Sequence, residues 1–350
     1  MELQSFMAEY KEKVEEELRK FFTAKKNEIN HELLRRAIEI IEEYTLRGGK
    51  RIRALLMIIG YRMYGGKGDE IIKAAASLEL VQSYFLIHDD IMDESELRRG
   101  KKTVHKIYEE EHLHKGYPGN PQRFSENAAI IAGDLVNVYA FELLSNTAFI
   151  AELKEKAMKE LERIMEYTGY GQLIDVYSGV LNTFSEEDLL LLHEYKTANY
   201  TIYGPLALGA ILAGKEPEPL RDFAIPIGIA FQLQDDILGL FGDEDKIGKP
   251  VTSDLAEGKK TLLIIKALEQ GNENQRRIIG EALGNPAVTL QQLQDVRAIV
   301  EKTGSLEYSR ALAAKLVGEG KQALATVDIP NEEYRRILED MAEYIIKRTM

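Results

Sequence analysis

Residues 70–93 read EIIKAAASLELVQSYFLIHDDIMD. From Ile71 to Ile87 the side chains are mostly apolar, and the run closes on Asp89, Asp90 and Asp93. This pattern predicts a long apolar helix with its charge gathered at one end. A second pentad, Asp235-Asp236-Ile237-Leu238-Gly239, stands 146 residues after the first and again ends an apolar helical run. Carboxylates at the end of an apolar helix are unfavourable unless a cation meets them. Divalent metal ions, with a phosphorylated substrate behind them, are the economical candidates.

The same helical period extends over the rest of the chain. Leu34, Ile38 and Ile41 are spaced i, i+4, i+7, and Gly48-Gly49 stop that helix. Ser185-x-x-Asp188 and Thr289-x-x-Gln292 read as capping boxes. Pro286 and Pro330 punctuate the C-terminal third. There is no sustained period-2 alternation and no Asn-Gly or Asp-Gly hairpin signal. The expected fold class is all-α, a helical bundle carried by one domain over residues 1–350. One segment breaks the pattern: 112–127, HLHKGYPGNPQRFSEN, reads as a long surface loop. His112 and His114 have metal-ligand chemistry, but in such a loop their spacing is read as incidental.

The 350 residues contain no cysteine, which removes disulfides, thiolate zinc sites and a cysteine nucleophile. The N-terminus is amphipathic and acidic without a signal-peptide core. The apolar runs fall short of the roughly 20 residues that span a bilayer, so the expectation is a cytoplasmic protein without stable membrane insertion. A net charge of -13 argues against nucleic-acid partners. Basic clusters that persist against this field are therefore informative.

On a helix Asp89 and Asp93 are i, i+4 and share a face, whereas Asp90 is turned by about 100°. Two carboxylates on one turn suit Mg²⁺, which keeps waters and takes phosphate oxygens at its other positions. In the second motif Asp235 and Asp236 are present, but position 239 is Gly; Asp243 is the candidate replacement. A single such motif is also what a solvated acidic helix end looks like. Two, each followed by basic loops, are not explained that way. Gly48-Gly49-Lys50-Arg51-Ile52-Arg53 runs a flexible turn into a helix start, with backbone N–H groups and cations together. Lys50 and Arg53 share a face and Arg51 points elsewhere. Arg98-Arg99-Gly100 follows the first acidic motif, and Lys249, Lys259 and Lys260 follow the second.

GGKRIR, LVQSYFLIHDDIMD, ELRRGKKTVH, AGD, GQLID, YKTA and FQLQDDILGLFGDEDKIGKPVTSDLAEGKKT occur in that order. In this the chain resembles the trans-isoprenyl diphosphate synthases over about residues 30–265. The resemblance implies an all-α bundle around a deep central cavity, usually a homodimer, and Mg²⁺-dependent head-to-tail condensation of isopentenyl diphosphate with an allylic diphosphate. It implies that Asp89, Asp93 and Asp235 hold several Mg²⁺ ions. Arg98, Lys196, Lys249 and Lys259 would contact the allylic diphosphate, and Thr197 and Gln232 would line the site beside the reacting carbon. Gly49, Lys50, Arg53, Gln82 and Arg99 would hold isopentenyl diphosphate. The chain departs from the family where Gln82 replaces a His frequent in bacterial members, Lys102 a frequent Pro and Gly239 a frequent Asp.

Residues just before Asp89 would form the cavity floor. Phe85 and Tyr84 lie about 6 and 7.5 Å back along the helix axis. Aromatics there resemble short-chain synthases making C15 farnesyl or C20 geranylgeranyl diphosphate, although any aromatic on a buried helix can be ordinary core. Two other functions share features of this sequence. A class I terpene cyclase needs only one diphosphate site, which leaves GGKRIR and RRG unexplained. A non-catalytic partner subunit would typically have lost one acidic motif.

Overall fold

The computed structural model describes residues 2–181, 183–242 and 251–347. Among these the chain is helical apart from one two-stranded ribbon, and it forms two compact units. The first comprises residues 1–158 and 208–215, the second residues 159–207 and 216–350.

In the first unit, α1 (Leu3–Glu28) buries Phe6, Tyr10, Val14, Leu18 and Phe22, a stripe at every fourth residue. The helices α2 (Glu32–Leu46) and α3 (Ile52–Met63) follow, then α4 (Glu70–Met92). Helix α4 buries residues on every side, from Ile71, Ala74 and Ala75 to Leu78, Val81 and Ile87. That is the signature of a helix enclosed by others, here by α1, α3 and α6 (Pro121–Ser145). Each such aliphatic side chain contributes about 1.5–3 kcal/mol on burial.

Two sequence expectations are corrected in this unit. The segment 112–127 is not a long loop. Helix α5 (Val104–His114) runs through both histidines, and α6 begins at Pro121, leaving only residues 115–120 between them. Asn120 caps α6 by accepting from the Arg123 N–H at 2.9 Å, and proline suits the first helical position. His112 is buried against Tyr117 and Phe124, with ring centroids 5.9 and 5.1 Å away, in an aromatic packing role. The chain also contains a minimal hairpin, β1 (Leu97–Arg98) and β2 (Lys101–Lys102). Its two turn residues, Arg99 (φ 54°) and Gly100 (φ 74°), both take the left-handed conformation that such tight hairpins demand. With Arg rather than Asn or Asp before the glycine, the sequence did not announce it.

The second unit holds most of α7 (Ala151–Val180), then α8 (Glu186–Leu192), an 11-residue π-helix, His193–Tyr203, and the first four residues of α9 (Gly204–Leu212), whose remainder belongs to the first unit. Helix α10 (Arg221–Phe241) packs on the π-helix and on α15 (Ser305–Thr326). Short helices α11 (Ser253–Ala256), α12 (Leu262–Gln270), α13 (Glu273–Ala282) and α14 (Leu290–Lys302) close over Ile237 and Leu240 of α10. Helix α16 (Glu332–Lys347) ends the described chain. Both expected capping boxes, at Ser185 and Thr289, are formed. Helix α6 and residues 218–241 are long and apolar enough to span a membrane by length and composition, although no unbroken apolar run is. Within those windows 44% and 56% of residues are buried inside the chain, so much of their apolar character faces the protein core.

Candidate active site

In the first unit the acidic motif forms the last turn of α4. The Asp93 N–H donates to the Asp89 carbonyl at 2.8 Å, so the two aspartates are one helical turn apart as their spacing predicted. Asp90, between them, is fully buried. Its Oδ1 accepts from Arg98 Nε at 2.8 Å and Nη2 at 2.5 Å, and its Oδ2 from the Tyr44 hydroxyl at 2.6 Å. Burial pushes the Asp90 carboxyl up, opposed by the Arg98 charge and the Tyr44 hydrogen bond. Burial beside a carboxylate also pushes the Tyr44 phenol up. Asp90 is therefore the anchor of Arg98, whose Nη2 then stands 3.8 Å from Asp89 Oδ2.

Arg99 turns to the glycine loop. It donates to the Gly48 carbonyl at 2.7 Å, and its guanidinium lies flat enough on Gly49 that a Cβ there would meet Nη2 at 3.1 Å. Gly49 also has φ +106°, which L side chains rarely adopt. Burial, with Arg51 nearby, lowers the Arg99 pKa. Arg51 points away as expected: it is buried, donating to the Thr45 carbonyl at 2.9 Å and Glu79 at 3.0 Å, with Glu15 at 3.2 Å. Among the described residues only three non-glycine residues have positive φ, and they are Arg51, Glu94 and Arg99. All lie within the basic motifs or directly after the acidic one, as strained backbone at working sites often does. Gln82, Phe85, Asp89 and Asp93 are spaced i, i+3, i+7, i+11 along one face of α4. Tyr84 is turned toward His88, with ring centroids 4.9 Å apart, and lies 4.8 Å from Phe85. Lys50 and Arg53 flank the start of α3 at position 52.

In the second unit Lys196 and Thr197 sit in the π-helix. Lys196 Nζ donates to Asp175 Oδ2 at 2.5 Å. The backbone of Lys196 is pressed against α7: a Cβ on Gly171 would lie 2.5 Å from its nitrogen. Thr197 donates to Gln232 Oε1 at 2.9 Å, and Gln232 Nε2 to Asp236 Oδ1 at 2.9 Å. His193 Nε2 is 3.4 Å from Asp236 Oδ2. Asp236 is thus spent on positioning, while Asp235 is exposed. Lys259 Nζ pairs with Glu257 at 2.6 Å. Lys260 turns to the end of α7, where its ammonium donates to the carbonyls of Ser178 in the last turn and Leu181 just after it. Lys249 and Asp243 lie outside the described residues.

Among the described residues no three His, Cys, Asp or Glu side chains form a preassembled metal cage. The donor set nevertheless fits Mg²⁺, which is held by one or two carboxylates plus substrate oxygens. Sequence reasoning missed Tyr44, Asp90, Asp175 and His193 as anchors, since each acts through a residue distant in the chain. The GQLID and YKTA motifs contained the signal for one such pair, Asp175 and Lys196.

The polyprenyl synthetase family profile matches residues 35–303, and the chain belongs to that family. It is a prenyltransferase of the isoprenyl diphosphate synthase type. It is 35% identical over 306 residues to a geranylgeranyl diphosphate synthase of Sulfolobus acidocaldarius, covering 86% of this chain and 87% of the relative. A geranylfarnesyl diphosphate synthase of Natronomonas pharaonis is 33% identical over 322 residues, covering 86% and 87%. Among solved structures, a geranylgeranyl pyrophosphate synthase from Corynebacterium glutamicum, complexed with isoprenyl diphosphate and magnesium, has a TM-score of 0.93 at 32% identity, covering 99% and 100%.

Proposed function

We propose that this chain joins isopentenyl diphosphate head-to-tail to dimethylallyl, geranyl or farnesyl diphosphate and releases C15 or C20 product. The observation that carries this reading is that predicted phosphate-binding cations are each held in place by buried or partly buried partners. Arg98 is fixed by Asp90, Arg99 by Gly48, and Lys196 by Asp175. Cations fixed before the substrate arrives lose little by reorganising, which is what stabilising a leaving diphosphate requires.

Asp89, Asp93 and Asp235 would hold several Mg²⁺ ions, which when bound neutralise charge on the allylic diphosphate. Arg98, Lys196, Lys249 and Lys259 bind the oxygens of that diphosphate. As the allylic C1–O bond breaks, its electron pair leaves with the diphosphate and these cations stabilise the growing negative charge. Gly49, Lys50, Arg53, Gln82 and Arg99 hold isopentenyl diphosphate so that its double bond faces C1. The new C–C bond leaves a cation one carbon along, and the departed diphosphate takes the proton that restores the alkene. Thr197 and Gln232 flank the reacting carbon, and Tyr84 and Phe85 stop the growing chain.

The enzyme is proposed to work as a homodimer through α6, where Ile130, Ile131 and Val138 are 43%, 60% and 61% exposed. A chain without cysteine and with water-soluble substrates suits the cytoplasm. The test is incubation of the purified chain alone with Mg²⁺, labelled isopentenyl diphosphate and, separately, C5, C10 and C15 primers. C15 or C20 alcohols after hydrolysis are expected. C25 products would overturn the assigned chain length, and no incorporation by folded protein would overturn the reaction.

A further inference from the structure

The second acidic motif has carboxylates at 235 and 236 and none at 239. Gly239 is buried, and a Cβ built on it would lie only 1.9 Å from Asp254 Oδ2. Two atoms cannot share that space, so the Asp254 carboxylate occupies the position where any other residue at 239 would begin its side chain. Residues 235 and 239 are i, i+4, on one face of α10 and about 6 Å apart along its axis. The other oxygen of Asp254 faces Lys259 Nζ at 3.7 Å, and the carboxylate is 13% exposed.

We propose that Asp254 supplies the second acidic motif with its third carboxylate, and that glycine at 239 is what admits it. This rests on the reading that Asp235 helps hold magnesium. The carboxylate reaches α10 from α11 rather than from the helix itself. It therefore also ties the acidic helix to Lys259, a lysine assigned to the allylic diphosphate. A loose Lys259–Asp254 pair alone would not require an oxygen against the backbone of residue 239. An aspartate at 239 and the observed Asp254 placement exclude one another, so the carboxylate can come from either position but not both.

Calorimetric titration of Mg²⁺ into protein saturated with inorganic diphosphate tests this without turnover. Asp254→Asn is expected to weaken Mg²⁺ binding by about tenfold or more, the scale of losing a carboxylate that supports a metal. Gly239→Ala keeps the charge but displaces it, and is expected to weaken binding too. Gly239→Asp combined with Asp254→Ala clears the space that the Asp254 carboxylate fills, returns a carboxylate to α10 and is expected to recover most of the affinity. A double variant no better than Asp254→Asn overturns the exchange. If Asp235→Asn weakens binding while Asp254→Asn and Gly239→Ala match the parent, the proposal fails and the magnesium site stands. If Asp235→Asn also matches the parent, both fail. Should Asp254→Asn not fold by circular dichroism, Gly239→Ala and the double variant decide the question.

Discussion

Asp89 and Asp90 are neighbours in sequence and differ completely in environment. Asp89 stands at the partly open end of α4, whereas Asp90 is enclosed and holds Arg98 and Tyr44. Removing one member of a buried ion pair strands the other. Asp90→Ala is therefore expected to cost about 3 kcal/mol of stability, measured by urea unfolding, and to lower turnover because Arg98 loses its anchor. His105 on α5 gives a pH prediction. It is buried, its Nδ1 has no hydrogen-bond partner among the described residues, and burial followed by the Lys106 charge lowers its pKa. A depressed folded pKa contributes stability in full above the unfolded value of about 6.5, and that contribution is lost as pH falls through the folded value. The melting temperature should drop from pH 7 toward pH 5, and less so in His105→Gln. At Tyr84 the reading is specificity: Tyr84→Ala should shift products to longer alcohols by chromatography, and an unchanged distribution in an active variant would remove Tyr84 from the floor.

At the level of elements, the π-helix is the feature the sequence did not reveal. HEYKTANYTIY carries no mark that distinguishes it from an ordinary helix, because the wider turn arises from packing rather than propensity. It brings the Lys196 backbone against Gly171. Gly171→Ala would overfill that contact, costing about 1–3 kcal/mol, and should raise the KM for the allylic diphosphate more than that for isopentenyl diphosphate. Steady-state kinetics with each substrate varied in turn would check the split. The hairpin at Leu97–Lys102 was equally hidden, since its turn places an arginine where asparagine is the usual signal. By contrast α4 was legible to within a residue at each end. A continuous apolar run closing on three aspartates leaves few alternatives.

For the whole molecule, the exposed apolar face of α6 is the argument for self-association. Ile131→Glu with Val138→Glu should convert a dimer to a monomer by light scattering coupled to size exclusion, with helical content retained. A parent protein that is already monomeric would discard the face. The sequence by itself determined the helical class, both acidic motifs and the basic clusters, and the order of its motifs, through a family resemblance, implied the reaction type. The first three rest on periodicity and on side-chain chemistry, which are local. Only the tertiary structure decided which charges are spent inside the protein: Asp90 on Arg98, Asp236 near His193, Lys260 on the end of α7, and Asp254 against Gly239. Those pairings join residues of different elements, so burial and distance settle them, and neither quantity is written in residue order.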